Sequence, residues 1–303
     1  MNANVTTLNP IQFDRSVKTI LVTGAVGDTG RPTVKLLLEH GHKVKALVRK
    51  DDERSRILRD QGADVIVGDM LDMNTMRKAA DGVSSAYFVY PLWEGLVEAS
   101  AIFAQVARER RLEMIVNMSH KQARPYARSK ATAAHWLSEQ IFNWSGVSVA
   151  HLRVTFFAEW LLYTAPLLKA GRYVTSFDPD SRFAPMAAAD IARVVVGILG
   201  NPGPHIGQAY QLHGPVEYSH LELAATVGKV LGKPIAFEQV ELIEFLKLIG
   251  LENDSAKKAH FEAVRIDQQE GLLRGTDDIG TRIIGRPLMT IEEFINQNRN
   301  SLS

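Results

Sequence analysis

The chain has 303 residues, enough for one large domain or two unequal ones with a sizeable core. Lysine and arginine number 35 against 34 aspartates and glutamates, so no basic field marks nucleic acid as the principal ligand. Cysteine is absent, which excludes disulfides, thiolate catalysis and cysteine-ligated metal.

Residues 1–17 read as a polar, mixed extension without the charged start and apolar stretch of a secretion signal. No apolar run reaches membrane-spanning length, since Ile191 to Leu199 is short and broken by Arg193. A cytoplasmic protein with no membrane contact is expected. From Lys18 onward, strand-like and helix-like stretches alternate. Ile20, Leu21 and Val22 suit a strand buried on both faces in a parallel sheet. Gly24, Gly27 and Gly30 then punctuate a tight turn. Val34, Leu37 and Leu38 follow at helical spacing, with Pro32 in the first turn, where its missing N–H costs little. Further strands are predicted at 42–48, 63–67, 85–89, 114–118 and 147–152, and helices at 51–60, 74–80, 94–110 and 128–142. This alternation predicts an α/β fold, a doubly wound parallel sheet of Rossmann type over 18–155.

The remainder, 156–303, is expected to form a smaller α+β part for substrate, some of its segments returning to the sheet. It opens on Phe156, Phe157, Trp160 and Tyr163, a dense aromatic run that either walls a flat hydrophobic pocket or is plain core. Asp190 reads as the cap of a helix at 191–199. Strands at 209–212 and 235–240 and helices at 221–231, closed by Gly232, and 242–248 follow. Residues 252–269 form an amphipathic helix that covers a cleft or meets a partner, either a regulatory protein or a second copy of the chain. Asp277 and Asp278 show no matching histidine or carboxylate neighbours, so no metal site is expected.

In a doubly wound sheet, ligands sit at the carboxyl ends of the strands. A pyrophosphate needs residues without Cβ and the open N–H groups of a helix N-terminus, so Thr23, Gly24, Gly27, Asp28, Thr29 and Gly30 are the expected dinucleotide cradle. After the second strand stand Arg49 and Lys50, where an acid would select the unphosphorylated ribose. A guanidinium there suits the extra phosphate of NADP, so NADP(H) is favoured over NAD(H). Asp51 and Asp52 come slightly later and suit a helix cap. Asp69 and Met70 would border the adenine, and Tyr90 and Ser119 the nicotinamide.

The run TGAVGDTG, the Arg after the second strand, GDM after the third, NMS after the fifth and LRVTFFAEWL after the sixth resemble the NmrA-like group of atypical short-chain dehydrogenases. RFAPMAAADIARVVVGILG and GQAYQLHG extend the resemblance across nearly all of the chain after residue 17. It implies an NADP-binding protein, either an oxidoreductase of small quinonoid, azo, carbonyl or other aromatic compounds or a catalytically silent redox sensor with a protein partner. An epimerase-like use of the fold would need a sugar-nucleotide pocket, for which no residues stand out. By the same resemblance, Tyr126 and Lys130 of YARSK would be proton donor and helper, with Lys130 on the nicotinamide ribose and Ser119 on the reacting oxygen. His135, four residues before Glu139, is the alternative, and it falls on the opposite side of a regular helix from Tyr126. Solvent can also supply the proton, with the protein only positioning the reactants.

Overall fold

The computed structural model describes residues 16–92 and 94–303, so nearly all of the N-terminal extension lies outside it. The first half alternates as β1 (Thr19–Val22), α1 (Gly30–Glu39), β2 (Lys43–Val48), α2 (Glu53–Asp60), β3 (Asp64–Val67), α3 (Met73–Ala79), β4 (Ser85–Phe88), α4 (Leu96–Arg110), β5 (Met114–His120), α5 (Lys130–Ser145) and β6 (Val149–Val154). The chain then leaves the sheet through α6 (Trp160–Tyr163), α7 (Ala165–Lys169), β7 (Arg172–Thr175) and β8 (Arg182–Phe183). It returns as α8 (Ala188–Gly200) and β9 (Ala209–Leu212). The last stretch holds β10 (Tyr218–Ser219), α9 (His220–Leu231), β11 (Ala236–Gln239), α10 (Leu242–Leu248), α11 (Ser255–Gln269), α12 (Ile279–Ile284), α13 (Ile291–Gln297) and α14 (Arg299–Leu302).

Seven strands form one sheet in the order β3-β2-β1-β4-β5-β6-β9, with every neighbouring pair parallel. Strand alternation sorts the apolar side chains between two faces. Ile20, Val22, Val116 and Leu152 pack with α1 and α8 on one side. Leu21, Phe88 and Ile115 meet α4 and α5 on the other, where the Phe88 and Phe103 rings stack at 5.3 Å. A third core gathers Leu161, Leu168, Phe183, Leu223, Phe245 and Phe294 outside the sheet. Two small pairings brace it, β7 with β11 in parallel and β8 with β10 antiparallel.

Three local expectations are corrected. The helix expected from 128 begins at Lys130, because the Ser129 hydroxyl accepts from Thr132 N–H and caps it there. Tyr126 therefore lies in the preceding turn and shares no helical face with Lys130. Asp190 does not cap α8. The Glu159 carboxylate, from another segment, accepts the Ala188 N–H at 3.0 Å, while Asp190 is buried within the first turn, bound to Arg193 at 2.5 Å and to Met289 N–H. Asp277 has a histidine partner after all: His213 Nδ1 lies 2.8 Å from its carboxylate, a contact between residues 64 apart in sequence. Among the described residues no group of three or more acids or histidines is placed to hold a metal.

Gly214 shows how closely the returning chain packs. A Cβ there would fall 1.9 Å from the Pro185 carbonyl oxygen. Gly214→Ala is expected to destabilise the fold by about 1–3 kcal/mol, read from urea unfolding.

Candidate functional site

The strand order reverses between β1 and β4, and the turn after β1 opens into that crevice. Gly24 takes φ +54°, and a side chain there would press on Val89 at 3.0 Å. At Gly30 a Cβ would lie 2.3 Å from the Gly24 carbonyl oxygen, so this position also excludes any larger residue. Thr29 precedes α1 and gives no side-chain cap; the Arg31 and Thr33 N–H groups donate to the Gly27 and Thr29 carbonyls and Pro32 has no N–H, so the Gly30 N–H is the first-turn amide left open among the described residues. A cradle without Cβ atoms at the start of α1 fits a dinucleotide pyrophosphate. Thr23 serves the turn differently. Its buried hydroxyl accepts from Val89 N–H at 2.8 Å and donates to the Val89 carbonyl, latching β1 to β4. Asp28 faces the cleft and accepts a hydrogen bond from the Tyr163 hydroxyl, which joins the glycine turn to α6.

Arg49, Asp69 and Tyr90 follow β2, β3 and β4 and form one rim. Arg49 is exposed and in no ion pair among the described residues, Asp69 receives the Leu71 N–H, and Met70 is buried beneath. Burial and the nearby Asp69 raise the Tyr90 phenol, and Arg49 partly offsets them. The acids next to Arg49 are committed elsewhere. Asp52 caps α2 in a reciprocal box with Ser55, and Asp51 pairs with Arg59 at 2.7 Å.

From the glycine turn a cleft of about 550 Å³ runs inward between the sheet and α11. Phe156, Phe157, Trp160, Leu251, Phe261 and Val264 wall it. The aromatic run is pocket and core at once, since Phe156 also packs edge-on against Phe177 and Phe183. Among the polar groups that reach the cleft are Ser119 and His120 at the end of β5, His135 on α5, and Lys257 and His260 on α11. Ser119 donates to Glu139 at 2.5 Å, and Arg153 closes a two-point pair on the same carboxylate at 2.9 and 2.6 Å. The His120 ring lies 5.8 Å from His135 and 5.7 Å from His260. Burial lowers His135 and His260 to about 4 each and holds His120 well below the usual range, so all three are neutral at pH 7.

The amphipathic helix expected at 252–269 is α11, and it covers the cleft. Asp267, 1% exposed, anchors it by accepting from Gln122 and from both Arg124 and Arg128 at 2.7 Å. This clamp also explains the fate of the YARSK pair. With both arginines turned toward α11, Tyr126 projects outward at 92% exposed, and Lys130 is exposed at the start of α5. Neither lines the cleft, whereas His135 does. Two cleft residues escaped sequence reasoning. His120 follows Ser119 on a strand that runs two residues past its expected end, so the strand-end rule would have reached it. His260 sits on a helix whose orientation only tertiary contacts decide.

A parallel sheet that reverses at a glycine turn, with a cleft at its carboxyl edge, defines a Rossmann-type α/β protein. Residues 16–294 match the model of the NmrA-like family, and the chain belongs to that family. It is 28% identical to an NAD(P)H azoreductase of Xenophilus azovorans over 91% of this chain and 96% of that one. It is 30% identical to the (4-alkanoyl-5-oxo-2,5-dihydrofuran-3-yl)methyl phosphate reductase of Streptomyces griseus over 73% and 77% of the respective lengths. The NADPH-dependent quinone oxidoreductase of Escherichia coli, solved with NADPH, shares the fold with a TM-score of 0.80 at 22% identity, covering 93% of this chain and 100% of that one.

Glu139→Ala leaves Arg153 and Ser119 without their shared buried partner and is expected to cost about 3–5 kcal/mol, measured by chemical denaturation. Glu159 gives a pH signature. Burial raises its carboxyl from 4.5 to about 7. The folded state therefore holds an extra proton between those values, and stability falls as pH rises through that window. The melting temperature is expected to drop from pH 5 to pH 8, and to drop less in Glu159→Gln.

Proposed function

We propose that the protein is an NADPH-dependent reductase of a small, flat aromatic or quinonoid compound. The observation that carries this reading is the aromatic-walled cleft that opens directly onto the glycine turn, so that a planar acceptor can lie against a dinucleotide held there. The reductases of similar sequence support it. When bound, the nicotinamide supplies the hydride. The chain's own residues do the rest. Gly24, Gly27, Asp28, Thr29 and Gly30 shape the pyrophosphate cradle, and Thr23 holds that turn against β4. Arg49 meets the ribose phosphate, with Asp69, Met70 and Tyr90 around the adenosine side. Phe156, Phe157 and Trp160 stack on the acceptor and keep water from the reacting face. Neutral imidazoles make the floor polar without charging it.

The preference for NADPH rests on Arg49. With Asp51 and Asp52 committed to α2, this guanidinium is the charge that meets the second ribose. Purified protein is expected to bind NADPH and to oxidise it with quinones or azo dyes. Binding without turnover of any acceptor refutes the reductase. Arg49→Ala is expected to weaken NADPH by about 1–3 kcal/mol and leave NADH nearly unchanged, by titration of each. Equal losses refute the assignment.

A further inference from the structure

Hydrogen-bond donors in the cleft are few once each is traced to its partner. The Ser119 hydroxyl donates to Glu139, that of Tyr90 to the Glu94 carbonyl and that of Tyr163 to Asp28. Thr155 Oγ1 and His135 Nδ1 have no partner but are covered by neighbouring atoms. His120 differs. Its Nδ1 accepts the Gln122 N–H at 3.3 Å, which places the proton of the neutral ring on Nε2. Among the described residues Nε2 has no hydrogen-bond partner, and the half-buried ring forms part of the cleft wall at the end of β5. His135 and His260 hold the ring on two sides, and Ser129 fixes His260 in turn through a 2.7 Å hydrogen bond to Nδ1.

We propose that His120 Nε2–H is the donor that receives the oxygen of a quinonoid or aryl-carbonyl acceptor in the cleft, with His135 and His260 as positioning residues. The assignment rests on the reductase reading and adds the recognition of the acceptor atom. A quinone takes up two electrons and one hydrogen as hydride from the reduced cofactor, its oxygen carries the new negative charge, and water then protonates that oxygen. Nε2–H stabilises the charge as it develops and keeps its own proton. The groups that face the ring all hold it neutral: the imidazoles of His135 from α5 and His260 from α11, and the Arg124 cation from the loop after β5. A neutral donor of this kind acts equally across the pH range in which the ring stays uncharged.

The test separates recognition from turnover. In the complex with NADP+, where no hydride is available, binding of 2-methyl-1,4-naphthoquinone is followed by tryptophan fluorescence, Trp160 being part of the wall. The same rings without oxygen, 2-methylnaphthalene, serve as control. His120→Phe is expected to weaken the naphthoquinone about five- to tenfold, leave the naphthalene and NADP+ within twofold, and lower kcat about 10- to 100-fold. His120→Gln, which retains an N–H donor, is expected to recover most of the binding, and wild-type kcat is expected to stay flat from pH 6 to 8.5. The proposal is overturned by equal naphthoquinone binding in wild type and His120→Phe, by equal losses for both ring compounds, or by no naphthoquinone binding to the wild type. If binding depends on His120 but NADPH is never oxidised, the reductase reading fails and the donor assignment stands.

Discussion

A parallel sheet wound in two directions cannot cover its own switch point. The crossovers on either side of β1 and β4 carry their helices away from each other, so the carboxyl ends of these strands open into a crevice. Everything chemical in the molecule is built around that gap. The turn after β1 must pass close to β4, which is why Gly24 cannot carry a side chain, and Thr23 then ties the two strands where the gap begins. The wall opposite cannot come from the sheet itself. It is supplied by the chain beyond β6 and by α11.

That division explains where the buried charges lie. Glu139 with Arg153 fastens α5, and Asp267 with Arg124 and Arg128 fastens α11, while Asp190 pairs with Arg193 inside α8 and ties that helix to the Met289 N–H. Each acid is buried and each is answered by a guanidinium. With these charges drawn into buried pairs, much of the inner surface of the cleft is left to aromatic rings and uncharged imidazoles, while Asp28 faces it from the glycine turn and Lys257 from α11.

Much of this was legible in the chain because it is local. The strand–glycine–helix order, the alternation after it and the caps at Asp52 and Gly232 depend on residues within one or two turns of each other. What escaped depends on distant partners. No pattern within residues 120–130 says that Arg124 and Arg128 will reach Asp267, and without that contact Tyr126 and Lys130 look like a helical pair facing the cleft. Asp190 has the residue type and position of a cap, but Glu159, 29 residues away from Ala188, takes the role. His213 and Asp277 meet only when β9 has joined the sheet. The short elements from α6 to β8 carry too few residues for any period to show. In each case the residue type was informative and its partner was not.

The clamp on α11 also sets an order of events. Asp267 meets Arg124 across 143 residues, and β9 completes a sheet begun nearly 200 residues earlier. The strands β1 to β6 are joined by short crossovers and can pair as the chain emerges, but the wall of the cleft waits for α11. Until then the face of the sheet that will carry ligand stands open, with Phe156, Phe157 and Trp160 uncovered. The cleft is thereby closed by contacts between residues far apart in sequence, whereas β1 to β6 pair without any residue of the C-terminal third.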